Sequence, residues 1–355
     1  MGVLNNNKYL FFAMKIIERM AIAMMTLVVI VIPTVSQKKA EEPSLPIIYS
    51  SKYNVSVLGE DFHQFNTKKF KQMVDYLTTQ CGIRKSQLIT PSKITQKELL
   101  KVHKPEYLKS LNESRNIAQV LEMPSLRFIP ITSLKSGLLE PMLFGAGGTV
   151  LGVKKAIESG WAINLSGGYH HAKRDHGEGF CFFADIPIAV KCLWEEKPHS
   201  KVLIVDLDAH QGNGVSSILG DDNRIAILDI YNSHVFPDDE NAERFVSYNI
   251  PITRQTDTRT YLGLIDKWLP LAIKEHKPDL IIYNAGTDIF ILDALGGLSI
   301  TEQGIIKRDE KVFKAAVDNS IPILMLLAGG YHKKSGEIIG KSIENLLNTV
   351  LKGKI

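Results

Sequence analysis

Lys201-Val202-Leu203-Ile204-Val205-Asp206-Leu207-Asp208-Ala209-His210 reads as a buried strand whose carboxyl end carries polar chemistry. A short apolar run of this kind predicts a strand, and in open α/β sheets ligands gather where strands end. Side chains alternate along an extended backbone, so Asp206, Asp208 and His210 are expected to share one face. Two carboxylates and an imidazole then converge with no Lys or Arg among them. Such a cluster on a hydrophobic strand is costly unless something positive sits there. A divalent metal ion is the natural candidate, although a lone Asp-x-His also occurs at ordinary solvent-facing strand ends.

Other runs repeat the pattern. The segment 279–286 ends in Thr287-Asp288, 321–328 ends in Gly329-Gly330-Tyr331-His332, and 161–165 ends in Ser166-Gly167-Gly168-Tyr169-His170-His171. Four apolar strands finishing in reactive residues are poorly explained by chance. The set suits metal-assisted amide hydrolysis. Asp208, His210 and Asp288 make three ligands with an open position. His170 and His171 supply acid and base, and Tyr331 after two glycines supplies a donor to an oxyanion.

Four blocks, GGYHHAKRDHGEGFCFFADI (167–186), DLDAHQGNG (206–214), YNAGTDIFILDALGGLSI (283–300) and AGGYHK (328–333), resemble the signatures of the arginase-like histone deacetylases. The resemblance is to the class IV branch in particular, and runs from about Ile47 to about Leu351. It implies an α/β fold: a single arginase/deacetylase-like domain with a mainly parallel sheet and helices on both faces. It also implies Zn2+ on Asp208, His210 and Asp288, with His170 and His171 as the catalytic pair and Tyr331 as the oxyanion donor. Asp206 would orient His170, and its side chain with nearby backbone carbonyls would hold a structural K+. Asn213 stands where class I enzymes carry an Asp, leaving His171 without an anionic partner. Phe180 and Phe236 would wall a narrow acyl-lysine tunnel.

Read singly, the histidines are loop residues, Phe180 is core, Tyr331 is a turn tyrosine, and Cys181 and Cys192 are small buried hydrophobes. Asp185 simply begins a helix over 186–192. His63, His103 and His199 lie away from the blocks and carry no assigned role. The blocks in order outweigh these separate readings.

The 355 residues show no linker, repeat or low-complexity stretch beyond the N-terminus, so one domain is expected over 37–355. Helical patterns cover 67–80, 95–110, 147–159, 258–275, 301–319 and 335–351, with a fifth strand over 224–231. Their alternation argues for a parallel sheet covered on both faces. Residues 1–36 differ. Lys15 and Arg19 precede the apolar stretch Ala21 to Ile32 and the small residues to Ser36, the layout of a signal peptide cleaved after Ser36. The alternatives are an uncleaved membrane anchor and a buried first helix.

Net charge is +4. Lys8, Lys15, Arg19 and Glu18 carry +2 of it, and the +2 left on the body is too mild to imply nucleic-acid binding. Cys81, Cys181 and Cys192 make no disulfide framework. The expectation is an exported, monomeric zinc-dependent deacylase acting on acetyl- or longer acyl-lysine in a protein or peptide. Membrane contact is expected only if the N-terminal segment stays attached. The rivals are a hydrolase of the same fold acting on acetylated polyamines or other small amides, and an acyl-lysine binding module without catalysis.

Overall fold

The computed structural model describes residues 6–25, 44–56 and 68–353. The chain divides into two compact units, Met1–Glu42 and Pro43–Ile355. In the first, helix α1 spans Asn6–Met25 and leaves Phe11, Phe12, Met14, Ile17 and Met20 exposed. No helix among the described residues is long and apolar enough to cross a membrane. Residues 26–36, with the expected cleavage point, lie outside the described residues, as does His63.

The second unit is an α/β domain. Its strands are β1 (Ile47–Ile48), β2 (Trp161–Asn164), β3 (Val202–Asp206), β4 (Ile225–Asn232), β5 (Tyr248–Ile252), β6 (Leu280–Asn284) and β7 (Ile323–Leu326). They form one seven-stranded sheet in the order β1-β2-β7-β6-β3-β4-β5, and every pairing is parallel. The helices are α2 (Lys69–Thr79), α3 (Gln96–Leu99), α4 (Pro105–Ser110), α5 (Ser114–Val120), α6 (Ile131–Leu134), α7 (Glu140–Ser159), α8 (Asp185–Glu196), α9 (Asn213–Leu219), α10 (Glu240–Glu243), α11 (Thr258–His276), α12 (Glu302–Asp318) and α13 (Ser335–Asn348).

Strand alternation builds a core on each face. Leu203 and Val205 of β3 pack with residues of α2, α11, α12 and α13. Val202 and Ile204 face the other way, toward α5, α7, α8 and α9. Sandwiched on both faces, β3 is apolar up to its terminal Asp206, as parallel strands are. This is the arginase/deacetylase type of fold expected from the motifs.

Two expectations need correction. The helix anticipated over 95–110 is two short helices, α3 and α4, because Pro105 has no N–H to continue a helix and instead opens α4 at its first position. Strand β3 stops at Asp206, so alternation does not carry His210; the loop 207–210 turns it onto Asp208 instead. Strands β1 and β5 were too short or too polar to read from sequence.

Candidate active site

Parallel pairing sets Asp206 of β3 beside Asn284 of β6 and Asp229 of β4. The loops leaving these strand ends build the site. Asp208, His210 and Asp288 are all buried, and one potential ligand atom from each lies within 4.8 Å of the others. His210 Nδ1 is 3.0 Å from Asp208 Oδ1 and 3.0 Å from Asp288 Oδ2. A tetrahedral ion with bonds of about 2.0–2.1 Å spaces its donors only slightly wider.

The electrostatics point the same way. Burial opposes protonation of His210, yet hydrogen bonds to the two carboxylates raise its pKa well above the ordinary value. Burial also works against ionisation of Asp208, but the His170 and His210 imidazoles hold it well below the usual carboxylate range. Burial and then the charge of Asp208 push Asp288 up. Two buried acids drawing a proton onto the imidazole between them form a site that demands positive charge. The donor set therefore fits a divalent metal ion. Backbone donors fix the remaining carboxylate oxygens: Ala209 N–H donates to Asp288 Oδ1 at 3.0 Å, and Gly329 N–H to Asp208 Oδ2 at 2.8 Å.

The tandem histidines sit against this cluster, their rings 4.1 Å apart. His170 Nδ1 donates to Asp206 Oδ2 at 2.8 Å, and His170 Nε2 lies 3.7 Å from Asp208 Oδ1. Burial alone would lower its pKa, but Asp206 and Asp208 lift it to about 9. His171 Nδ1 donates to Asn213 Oδ1 at 2.9 Å. The amide orientation is set because Asn213 Nδ2 donates to Glu178 Oε1 at 2.7 Å. Burial and the neighbouring His170 and His210 push His171 well below its ordinary value. The pair is thus split, one held by a carboxylate and one by a neutral amide. Such splitting separates acid from base.

Tyr331 follows Gly330, whose φ of +132° lies where glycine is favoured. Its ring stands 6.4 Å from that of His210 and 6.0 Å from that of Phe180, and burial with the nearby carboxylates raises its pKa well above 10.0. The Phe236 ring lies 5.1 Å from His171. Phe180, His171, His210, Phe236, Leu295 and Tyr331 line one cavity of about 280 Å³. A second cavity of about 130 Å³ shares His171, Phe180 and Tyr331 with it and is lined also by His170, Lys69 and Met142.

Four supporting residues went unread in the sequence. Asp185, anticipated only as a helix start, does open α8, yet its carboxylate also accepts from Thr149 Oγ1 (2.6 Å), Gly168 N–H (2.9 Å) and Tyr169 N–H (2.8 Å). It ties down the loop that carries both histidines. Asp293 accepts from the backbone N–H groups of Tyr331 (2.7 Å) and His332 (2.9 Å). Buried Lys69 donates to the carbonyls of Ala328 and Gly329 at 2.8 and 2.9 Å, with its pKa lowered by burial to about 8. Ala328 (φ +44°) and Phe180 (φ +67°) occupy the left-handed region without being glycine, a cost of about 1–3 kcal/mol each that clusters at functional sites. The fourth, Glu178, holds Asn213. In sequence, an acid or lysine that braces a site resembles one on the surface, so none carried a signal. His103, given no role, accepts the Ala184 N–H at 2.9 Å in the core.

A histone deacetylase domain profile matches residues 63–349. "Histone deacetylase 2" of Arabidopsis thaliana is 42% identical over 301 residues, covering 84% of this chain and 78% of that protein. An uncharacterized protein of Picosynechococcus sp. is 28% identical over 294 residues, 83% of this chain and 94% of that protein. "Histone deacetylase 1" of Homo sapiens is 26% identical over 261 residues, 70% of this chain and 53% of that protein. With a matching domain over most of its length, the chain belongs to the histone deacetylase family of hydrolases.

Proposed function

We propose that the protein is a zinc-dependent lysine deacylase of the class IV kind, hydrolysing the amide of an acetyl- or longer acyl-lysine in a protein or peptide. The observation that carries this reading is the meeting of Asp208, His210 and Asp288 beside a split histidine pair and a tyrosine. When bound by those three residues, zinc would supply Lewis acidity toward the amide oxygen and a water of lowered pKa. His171, with Nδ1–H committed to Asn213, presents an unprotonated Nε2 that takes a proton from the attacking water. The amide carbon gains that oxygen and the C–N bond breaks. His170, favoured in its protonated form by Asp206, stabilises the negative charge that develops, and a histidine proton passes to the departing lysine amine. Tyr331 keeps its proton and donates a hydrogen bond to the oxyanion. Phe180 and Phe236 pack the lysine methylenes and exclude water.

A polyamine amidohydrolase would favour an acidic entrance. Here Glu122 shares the mouth with Arg254 and His234, which supports a peptide substrate instead. We also infer a potassium ion beside Asp206. Asp229, paired with Asp206 across the sheet, buries an Oδ1 with no hydrogen-bond partner among the described residues, and a cation there would satisfy it. Export through residues 1–36 is part of the same reading, and N-terminal sequencing of the mature protein tests it.

The function is tested by assaying the purified protein on acetyl-lysine peptides, myristoyl-lysine peptides and acetylated polyamines, with and without chelator. Chelator-sensitive hydrolysis of an acyl-lysine peptide is expected. Turnover of polyamine amides with none of either peptide would transfer the reading to the small-amide class.

A further inference from the structure

We propose that Arg308, on α12, is a positioning residue that holds the two metal-ligand loops in register; this rests on the metal reading above. Arg308 is wholly buried. Its Nη1 donates to the Leu207 carbonyl at 3.2 Å and the Gly286 carbonyl at 2.5 Å, and its Nη2 donates to the Ala285 carbonyl at 3.2 Å. The Leu207 carbonyl belongs to the peptide unit that joins Leu207 to Asp208. Those of Ala285 and Gly286 lie just ahead of Asp288. One planar guanidinium thus ties the β3 loop to the β6 loop, immediately before each contributes its carboxylate.

The guanidinium is itself fixed. Nε donates to Asp309 Oδ1 at 2.8 Å. Asp309 also accepts from Tyr283 Oη at 2.5 Å and from Ser342 Oγ at 2.5 Å. Tyr283 lies on β6, the strand that leads to Asp288, and Tyr261 Oη from α11 adds a 3.1 Å bond to the Leu207 carbonyl. A buried ion pair is weak evidence of stabilisation, since hydrophobic packing usually does as well. A fork that reaches three carbonyls on two loops is a task that neither hydrophobic packing nor a lysine point charge can perform. Bringing Asp208 and Asp288 together against their mutual repulsion needs such a clamp. The positive charge close behind both loops acts in the same direction.

The test uses the full chain, stripped of metal and titrated with zinc alone and with cobalt(II) alone. Affinity is read by chelator competition, geometry by the cobalt electronic spectrum, and the fold by unfolding of the metal-free forms. In Arg308→Lys, affinity is expected to weaken by about 10- to 100-fold, the scale found when groups supporting metal ligands are lost, with an altered cobalt spectrum. Ser342→Ala removes one hydroxyl from Asp309, far less invasively, and should shift both readings in the same direction by a smaller factor; it decides the matter if Arg308→Lys does not fold. Variants that melt lower when metal-free, yet bind with wild-type affinity and spectrum, would make Arg308 a fold residue only and overturn the inference. Wild-type protein that binds no stoichiometric zinc would instead overturn the metal reading, and the inference with it.

Discussion

Asp185→Asn isolates what holds the histidine loop. Gly167 and Gly168 adopt φ of +77° and +83°, so the loop 167–171 turns in a conformation that lacks helical or strand bonding of its own. Asp185 Oδ2 accepts from Thr149 Oγ1 and Gly168 N–H, while Oδ1 accepts from Tyr169 N–H at 2.8 Å. Asparagine keeps one oxygen. If that oxygen retains Thr149 and Gly168, the amide NH2 is set against the Tyr169 N–H, donor to donor. An orphaned buried donor costs about 1–3 kcal/mol, and the bonds that survive lose the strength of a charged acceptor. Burial pushes the Asp185 pKa up, so part of this loss is offset by no longer burying a charge. The net is about 3 kcal/mol, which for a domain of this size lowers Tm by about 5 °C. Activity should fall further than stability alone accounts for, by at least about tenfold in kcat/KM at a temperature where the variant is fully folded, because a misplacement near 1 Å at a catalytic pair is expensive. Differential scanning calorimetry and steady-state assays on one acyl-lysine peptide measure both. A variant melting within 1 °C or so of wild type with unchanged kcat/KM would show that the loop is held by something other than Asp185.

Chelation should abolish hydrolysis and zinc restore it, with cobalt or ferrous iron giving partial recovery because two carboxylates and an imidazole do not select zinc alone; turnover in protein verified metal-free by mass spectrometry contradicts this. Tyr331→Phe should lower kcat by about 10²- to 10³-fold with metal content unchanged, and a near-normal rate would assign Tyr331 to structure. Asn213→Asp places an anion against His171 and should move the acidic limb of the kcat/KM profile to higher pH; superimposable profiles in a folded, metal-loaded variant refute it. His103 is held down to about 4 by burial. An unfolded chain therefore takes up a proton below about pH 6.5 that the folded chain refuses until about pH 4, so stability falls as pH drops through that window. The loss between pH 7 and pH 5 is about 2 kcal/mol, and urea unfolding of wild type against His103→Asn should show it vanish in the variant.

What the sequence made legible follows from the type of signal each element leaves. Strands β2, β3, β4, β6 and β7 are mainly apolar runs because both faces of the sheet are covered, and the polar endings that follow β2, β3, β6 and β7 are contiguous with them in the chain. The residues that meet at the candidate site, Asp208, His210 and Asp288, lie in those endings, as do His170, His171 and Tyr331. The supporting charges do not. Arg308 sits in Lys307-Arg308-Asp309-Glu310-Lys311, which reads as a solvated helix face. Its spacing was the available clue. The buried positions of α12 are Gly304, Ile305, Ile306, Arg308, Asp309, Val312, Phe313 and Ala316, so the charged pair falls among the helix's apolar positions at the 3.6-residue period. Asp185 and Asp293 had no such context, since each caps irregular backbone whose path only the folded chain defines.

Sheet topology explains why the ligands come from where they do. Strand β3 has β4, its successor in the chain, on one side, and β6, reached only through a long connection, on the other. The order therefore reverses beside β3, and crevices at carboxyl ends form where the strand order reverses. His210 and Asp288 meet there from 78 residues apart. The loop after β3 supplies Asp208 and His210 locally, and the third member of the cluster, Asp288, arrives only when β6 docks. On the proposed metal reading, affinity would accordingly measure how well β6 is seated against β3. The carbonyls that Arg308 grips lie on those two loops and nowhere else, so the groups that set that seating are the same ones that set the spacing of the carboxylates.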